Sequence, residues 1–357
     1  CDFKEQTCIA VMLGAYLLLL RRWSLQKIKD ALGFEIANST FTCSWAPQHQ
    51  GILRVQDCWR GLEQALQQSW LKPGCFESDA GTASFVEEYL RVAYTYDASW
   101  IIPGKVLVCA DPETTRSDPS PWTLRSVFSP RGDDSVLGLH PWPASEPRSP
   151  GTYYAKSVSR TSSDANSPSR ADTDMMSLKS DYTCATIAKD HSVAPSRGTS
   201  HPGPKIPSFA SYLEKNHIKL VVRANFLKEP GMRMCSYDSM YFEQYGIKHA
   251  DVPILDFHGA VPSAADLAKF RAAVADFSLS PGDENAIAVH CKGGFGRSVS
   301  LICWLLASHL RVSGEALLGW SRIVRPGAVT TLEQERFIVR LQPRKPVPGC
   351  KGGCVLS

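Results

Sequence analysis

Nine consecutive residues constrain this chain more than any others: His290-Cys291-Lys292-Gly293-Gly294-Phe295-Gly296-Arg297-Ser298. The apolar run Ala286 to Val289 precedes them and the apolar helical pattern Val299 to Leu310 follows. The order reads as a buried strand, a glycine-bearing turn and a helix start. Such a turn directs successive backbone N–H groups at one point, which the positive end of the helix dipole also faces. A free thiol titrates near ~8.5, and a helix N-terminus with a nearby cation lowers that by several units, so Cys291 is expected to be a thiolate nucleophile at neutral pH. Arg297 supplies the planar fork that grips two phosphoryl oxygens. A cysteine at a strand end is by itself more often a small buried hydrophobe, and it is the combination of spacing and context that points to chemistry.

Composition removes several other classes of function. The 357 residues are 43% hydrophobic and 10% aromatic, enough for a sizeable core and about two domains. A net charge of +4 with scattered lysines and arginines leaves no nucleic-acid footprint, so no nucleic-acid partner is expected. Twelve cysteines lack the regular spacing of a disulfide framework and no secretory signal peptide is visible, which points to a reducing, cytosolic or nuclear setting. Cys350 and Cys354 have no second pair of ligands at suitable spacing; neither a metal nor a cofactor is expected. The apolar stretch Cys8 to Leu20 is shorter than the ~20 residues a bilayer span needs and reads as a buried helix. Because the chain begins at Cys1, a fragment or processed form is expected.

Along the chain, residues 1–100 show helical patterns such as Asp57 to Trp70 and form a first unit. Lys105 to Ala110 reads as a buried strand after the turn Pro103-Gly104. Residues 111–207 turn to serine, proline and charge without sustained periodicity, the composition of a disordered insert, with Ser-Pro at Ser120, Ser129, Ser149 and Ser167. Order is expected again from a helix near Ser208 and the strand Ile218 to Arg223. A helix ending at Gly246, a strand over 247–255 and a helix from Ser263 to Phe277 follow, the last with a capping box of Ser263 and Asp266. Ser313 caps a helix through Val324, and Thr331 with Gln334 caps another. Strands alternating with helices give an α/β domain with a mainly parallel sheet, whose ligand site lies at the carboxyl ends of the strands.

The cysteine loop resembles that of the protein tyrosine phosphatase superfamily, and Ala286 to Ser298 is similar to its dual-specificity branch. Trp100-Ile101-Ile102-Pro103-Gly104-Lys105, Asp57-Cys58-Trp59-Arg60-Gly61-Leu62, Leu13-Gly14-Ala15-Tyr16 and Arg325-Pro326-Gly327 resemble the cell-cycle phosphatases of the Cdc-fourteen family. The likeness covers most of 1–112 and 205–341. It implies two tandem dual-specificity-phosphatase-like α/β domains: a non-catalytic one at 1–100, truncated at its start, and a catalytic one at 101–341 carrying the insert. It also implies phosphoprotein substrates of proline-directed kinases, in which phosphoserine or phosphothreonine precedes proline, alongside phosphotyrosine. Three departures stand out: the shortened start, the longer insert, and Gly293 and Phe295 where the family usually has alanine and leucine.

The resemblance assigns roles residue by residue. Cys291 attacks phosphorus while Arg297 and the amides of Lys292, Gly293, Gly294, Phe295 and Gly296 hold the oxygens. Ser298 hydrogen-bonds the sulfur, or simply starts the helix. His290 orients the loop. An upstream aspartate protonates the leaving group; Asp256, in Asp256-Phe257-His258-Gly259-Ala260-Val261-Pro262, is the first choice and Asp251 the second. Gln334 either positions the hydrolytic water or belongs to the cap with Thr331. Lys292 also adds positive potential.

The chain ends Cys354-Val355-Leu356-Ser357, a C-a-a-X pattern that predicts farnesylation of Cys354 and a place at the cytoplasmic face of a membrane. Cys350 or the charges of Arg344, Lys345 and Lys351 would supply a second anchor. A phosphoinositide phosphatase and a non-catalytic phosphoprotein scaffold are the alternatives; Phe295, where a further lysine would help bind a headgroup, argues against the first.

Overall fold

The computed structural model describes residues 3–41, 51–112, 208–230, 232, 235–257, 261–279 and 283–343. The Ser-Pro sites of the insert, His258 to Ala260 and the tail with Cys350 and Cys354 lie outside them. Helices α1 (Phe3–Leu19), α2 (Leu25–Leu32), α3 (Phe34–Asn38), α4 (Val55–Gln67) and α5 (Asp79–Tyr96) precede strands β1 (Ala98–Ile102) and β2 (Val106–Cys109). After the insert come α6 (Phe209–Lys215), β3 (Ile218–Arg223), α7 (Met240–Glu243), β4 (Lys248–Asp251), α8 (Ala264–Ala273) and β5 (Ala286–His290). Then α9 (Arg297–Leu310), α10 (Gly314–Val324) and α11 (Leu332–Val339) complete the described chain.

One mixed five-stranded sheet has the order β1-β2-β5-β3-β4. Strands β2, β5, β3 and β4 are parallel, and β1 is joined antiparallel to β2 by the turn at Gly104, whose φ is +69°. Strand β5 lies in the middle and is buried at every position. Its alternating residues explain how both faces are covered: Ile287 and Val289 enter a core with Val299, Ile302 and Trp59, whereas Ala286 and Ala288 enter one with Leu213 and Phe242. This central strand ends at His290 and delivers Cys291 at the carboxyl ends of the parallel strands.

The expected caps form. Ser313 accepts from the Ala316 N–H and Thr331 from the Gln334 N–H, while Ser263 and Asp266 make both halves of their capping box. Helices α4 and α10 meet almost backbone to backbone: a Cβ at Gly61 would strike the Trp320 and Ala316 backbone, and one at Gly319 the backbone of Asp57.

Four expectations change. The first hundred residues carry no sheet of their own among the described residues; α1 and α4 share one core with the five-stranded sheet, and Ala98 already starts its edge strand. Helix α1 is not buried all round, since Ile9, Met12, Leu13, Tyr16 and Leu20 are exposed; it reaches the core with Ala10 and Leu18 and packs Gly14 on Trp59. Strand β4 and helix α8 are shorter than their patterns, ending at Asp251 and Ala273. Asp111, grouped with the insert by composition, is fully buried, because its carboxylate accepts from Ser236 and Asn225 behind the cysteine loop. Among the described residues no helix is long and apolar enough to cross a membrane.

Candidate active site

Residues 291–296 form a loop between β5 and α9 whose carbonyls all turn outward from 292 onward. The Lys292 carbonyl accepts from the Asp111 N–H at 3.1 Å, that of Phe295 from the Val329 N–H at 2.7 Å, and that of Gly296 from the Ser300 N–H at 2.9 Å. Arg325 donates to the other two, at 3.1 Å to Gly293 and 2.7 Å to Gly294. Since C=O and N–H point oppositely in a planar trans peptide, the N–H groups of these peptides face inward. Gly294 has φ +68°, and a Cβ there would collide with the Cys109 carbonyl, so the loop's tightest point requires glycine.

Cys291 is the thiol these groups surround. It is 3% exposed, with its sulfur 3.4 Å from Ser298 Oγ. Burial acts to raise its pKa, but the Arg297 guanidinium, the Ser298 hydroxyl and the N–H groups of Ser298 and Gly294 outweigh burial and hold the thiol below its ordinary value. Ser298 therefore touches the sulfur as well as starting α9.

Arg297, buried on the first turn of α9, is held by a residue the sequence did not announce. Glu229 takes both ends of the fork, at 2.5 and 2.9 Å, and the Ile254 carbonyl accepts a third bond at 2.9 Å. Asp256 Oδ2 lies 3.3 Å from the same guanidinium while its side chain stays 58% exposed. Burial would favour neutral Arg297, yet the Glu229 hydrogen bonds and the neighbouring Cys291, Glu229 and Asp256 raise its pKa above the usual value. Asp251, the other aspartate considered, is engaged elsewhere: Arg223 binds it at 2.7 and 3.1 Å.

Behind the loop, His290 Nε2 is 2.5 Å from the Tyr237 hydroxyl, which lies 3.1 Å from His249 Nε2. Burial pushes His290 down to about 4, so a neutral imidazole supports the loop. Gln334 is buried with its amide against Gly296; its Oε1 accepts from the Thr330 N–H at 3.0 Å and its own N–H caps onto Thr331 Oγ1 at 3.3 Å. Lys292 turns to the Pro230 carbonyl at 2.9 Å, and Phe295 lies under Arg325 with the guanidinium 4.3 Å from its ring centre. Glu229, Tyr237 and Arg325 were missed as site residues. Only Arg325 carried a signal, as part of Arg325-Pro326-Gly327. Among the described residues no cluster of His, Cys, Asp or Glu could hold a metal.

No protein-family model matches the chain. Tyrosine-protein phosphatase cdc-14 of Caenorhabditis elegans is 24% identical over 338 residues, 94% of this chain and 33% of its own length. Human dual specificity protein phosphatase CDC14A is 30% identical over 127 residues, covering 36% of this chain and 19% of its own. A solved structure of a protein tyrosine phosphatase (putative) from Leishmania major shares 25% identity over 38% of this chain and 78% of that one, with a TM-score of 0.30. The chain spans about a third or less of the curated relatives it matches. The chain is thus similar in sequence to curated proteins named as Cdc14 dual-specificity and tyrosine phosphatases.

Proposed function

We propose that this chain is a cysteine-dependent dual-specificity protein phosphatase, acting on phosphoserine or phosphothreonine followed by proline and on phosphotyrosine. The observation that carries the reading is the depressed Cys291 thiol inside a ring of inward N–H groups, closed by the buried Arg297 fork. The Cys291 sulfur forms a bond to phosphorus as the bond to the substrate oxygen breaks, and Asp256 gives its proton to that oxygen. Arg297 and the loop amides bind the equatorial oxygens, where charge is spread in the transition state. Water then attacks the phosphocysteine; Asp256 takes its proton, Gln334 orients it, and the sulfur leaves as thiolate with Ser298 donating to it.

Residues 1–100, expected as a separate non-catalytic domain, pack their helices into the same core as the catalytic part, 101–341, and shape the substrate groove from there; the shared core and the Asp97–Arg325 ion pair at 3.0 Å support that role. Where Ser357 ends the cellular protein, farnesylation of Cys354 brings the site to a membrane. Absence of a prenyl mass on Cys354 in protein from cells would remove that part.

The function is tested with an aryl phosphate and with matched phosphoserine-proline and phosphotyrosine peptides. Wild-type protein hydrolyses all three, Cys291→Ser hydrolyses none, and a phosphate adduct is trapped on Cys291 at early times. Turnover retained in Cys291→Ser would overturn the reading.

A further inference from the structure

A second buried guanidinium binds the loop by its outward-facing carbonyls. Arg325 is 0% exposed and directly precedes Pro326 in the α10–α11 connection. Its Nε donates to the Gly294 carbonyl at 2.7 Å and one Nη to the Gly293 carbonyl at 3.1 Å. The same Nη pairs with Asp97 Oδ1 at 3.0 Å, and the other Nη is 3.5 Å from Ser99 Oγ. The Phe295 ring lies 4.3 Å from the guanidinium carbon and covers the cation. Half-buried Tyr89 on α5 also feels this charge, and burial pushes its phenol up to about 12, so it stays neutral beside the cation.

These bonds have a directional consequence. The peptide between residues 293 and 294 joins the Gly293 carbonyl to the Gly294 N–H, and the two point oppositely. Fastening that carbonyl to Arg325 sends the Gly294 N–H toward the Cys291 sulfur, to which it donates. The next peptide obeys the same rule: with the Gly294 carbonyl on Arg325 Nε, the Phe295 N–H faces the interior of the loop. Gly294 adopts positive φ, a conformation with little intrinsic preference for this one orientation, so an outside anchor is needed to select it.

We propose that Arg325, neutralised by Asp97 and covered by Phe295, is a positioning residue that aims the Gly294 and Phe295 amides into the cysteine loop. The aim at the sulfur holds whatever the substrate; the aim at phosphoryl oxygens rests on the phosphatase reading. Asp97 lies at the end of α5 and Arg325 at the end of α10, so the anchor also links the N-terminal helices to the catalytic loop.

The test measures the pH profile of Cys291 alkylation by iodoacetamide in the full chain, read peptide by peptide, together with kcat and KM for an aryl phosphate. In Arg325→Met the midpoint for Cys291 rises by on the order of one pH unit. Catalytic efficiency falls on the order of a hundredfold, mainly through kcat, as for loss of one or more oxyanion donors. Arg325→Lys recovers part of both. An unchanged alkylation midpoint in folded Arg325→Met overturns the proposal. Should Arg325→Met not fold, Asp97→Asn and Phe295→Leu leave the guanidinium in place and shift the midpoint the same way by less; no shift in either overturns it. A wild-type protein without phosphatase turnover, whose alkylation midpoint nonetheless moves with Arg325, would refute the phosphatase reading and keep the anchor.

Discussion

Two loops bring a carboxylate to the same guanidinium, and they do it in opposite ways. The loop after β3 offers Glu229, which is 5% exposed and binds both ends of the Arg297 fork. The loop after β4 offers Asp256, which is 58% exposed and makes one contact of 3.3 Å. A bidentate buried partner fixes the fork in one plane, whereas an exposed single contact leaves its carboxylate free to leave and carry a proton. Two carboxylates of equal charge thus meet one guanidinium at different distances and very different burial, which suits the first to hold the fork and the second to the proposed proton transfer.

Removing Glu229 is the strongest way to break this contrast. Glu229→Ala leaves the Arg297 charge buried with half its partners gone, and stability falls by about 3–5 kcal/mol, read from urea unfolding. Turnover of aryl phosphate and phosphoserine peptide falls by the same factor, because a loosened fork serves every phosphoryl group alike. A loss confined to one substrate would move Glu229 out of that role.

Removing Asp256 sharpens the contrast through substrate choice. Asp256→Ala slows the phosphoserine peptide by on the order of 10²–10³, since a serine alkoxide needs its proton, and slows an activated aryl phosphate much less. Equal slowing would point to a different acid.

The support behind the loop gives a pH test of similar size. His290 is buried neutral with its pKa pushed down to about 4, chiefly by burial, and burial lowers His249 in the same sense. An unfolded histidine takes up its proton near ~6.5, so the unfolded state binds protons first as pH falls. The His290 contribution is complete above pH ~6.5 and is lost toward pH 4, amounting to about 3 kcal/mol. His290→Gln flattens the stability profile between those limits. A slope unchanged from wild type would show that this imidazole does not control it.

The sequence revealed the cysteine loop and hid its supports, for a physical reason. Cys291, Arg297 and Ser298 are neighbours along the chain, and a strand, glycines and a helix start in fixed order give them a spacing that reads locally. The central strand and the caps of α8, α10 and α11 were legible in the same way, because periodicity and capping are properties of short windows. Glu229 is 68 residues from Arg297 and sits in an irregular segment with no period, so only the fold brings it there. Asp111 was hidden by its surroundings: polar and next to a Ser/Pro-rich stretch, it looks like the start of the insert until Ser236 and Asn225 close on it. The exposed face of α1 was misread because a wholly apolar run says nothing about which side meets α4.

The smallest expected effect is the most direct test of the contrast between the two carboxylates. Asp256→Asn keeps the shape of the side chain and removes its charge. Its carboxylate is mostly in water, so Arg297 loses one long, solvent-screened contact and keeps both Glu229 oxygens and the Ile254 carbonyl. An exposed pair of this kind is worth about 0–1 kcal/mol, and stability in urea should change by no more than that while the phosphoserine rate drops. A variant that loses stability as Glu229→Ala does would place Asp256 in the scaffold that holds the fork. Loss of rate without loss of stability is what a proton donor on the rim produces, because the proton transfer takes place only after substrate has entered and has no counterpart in the free fold.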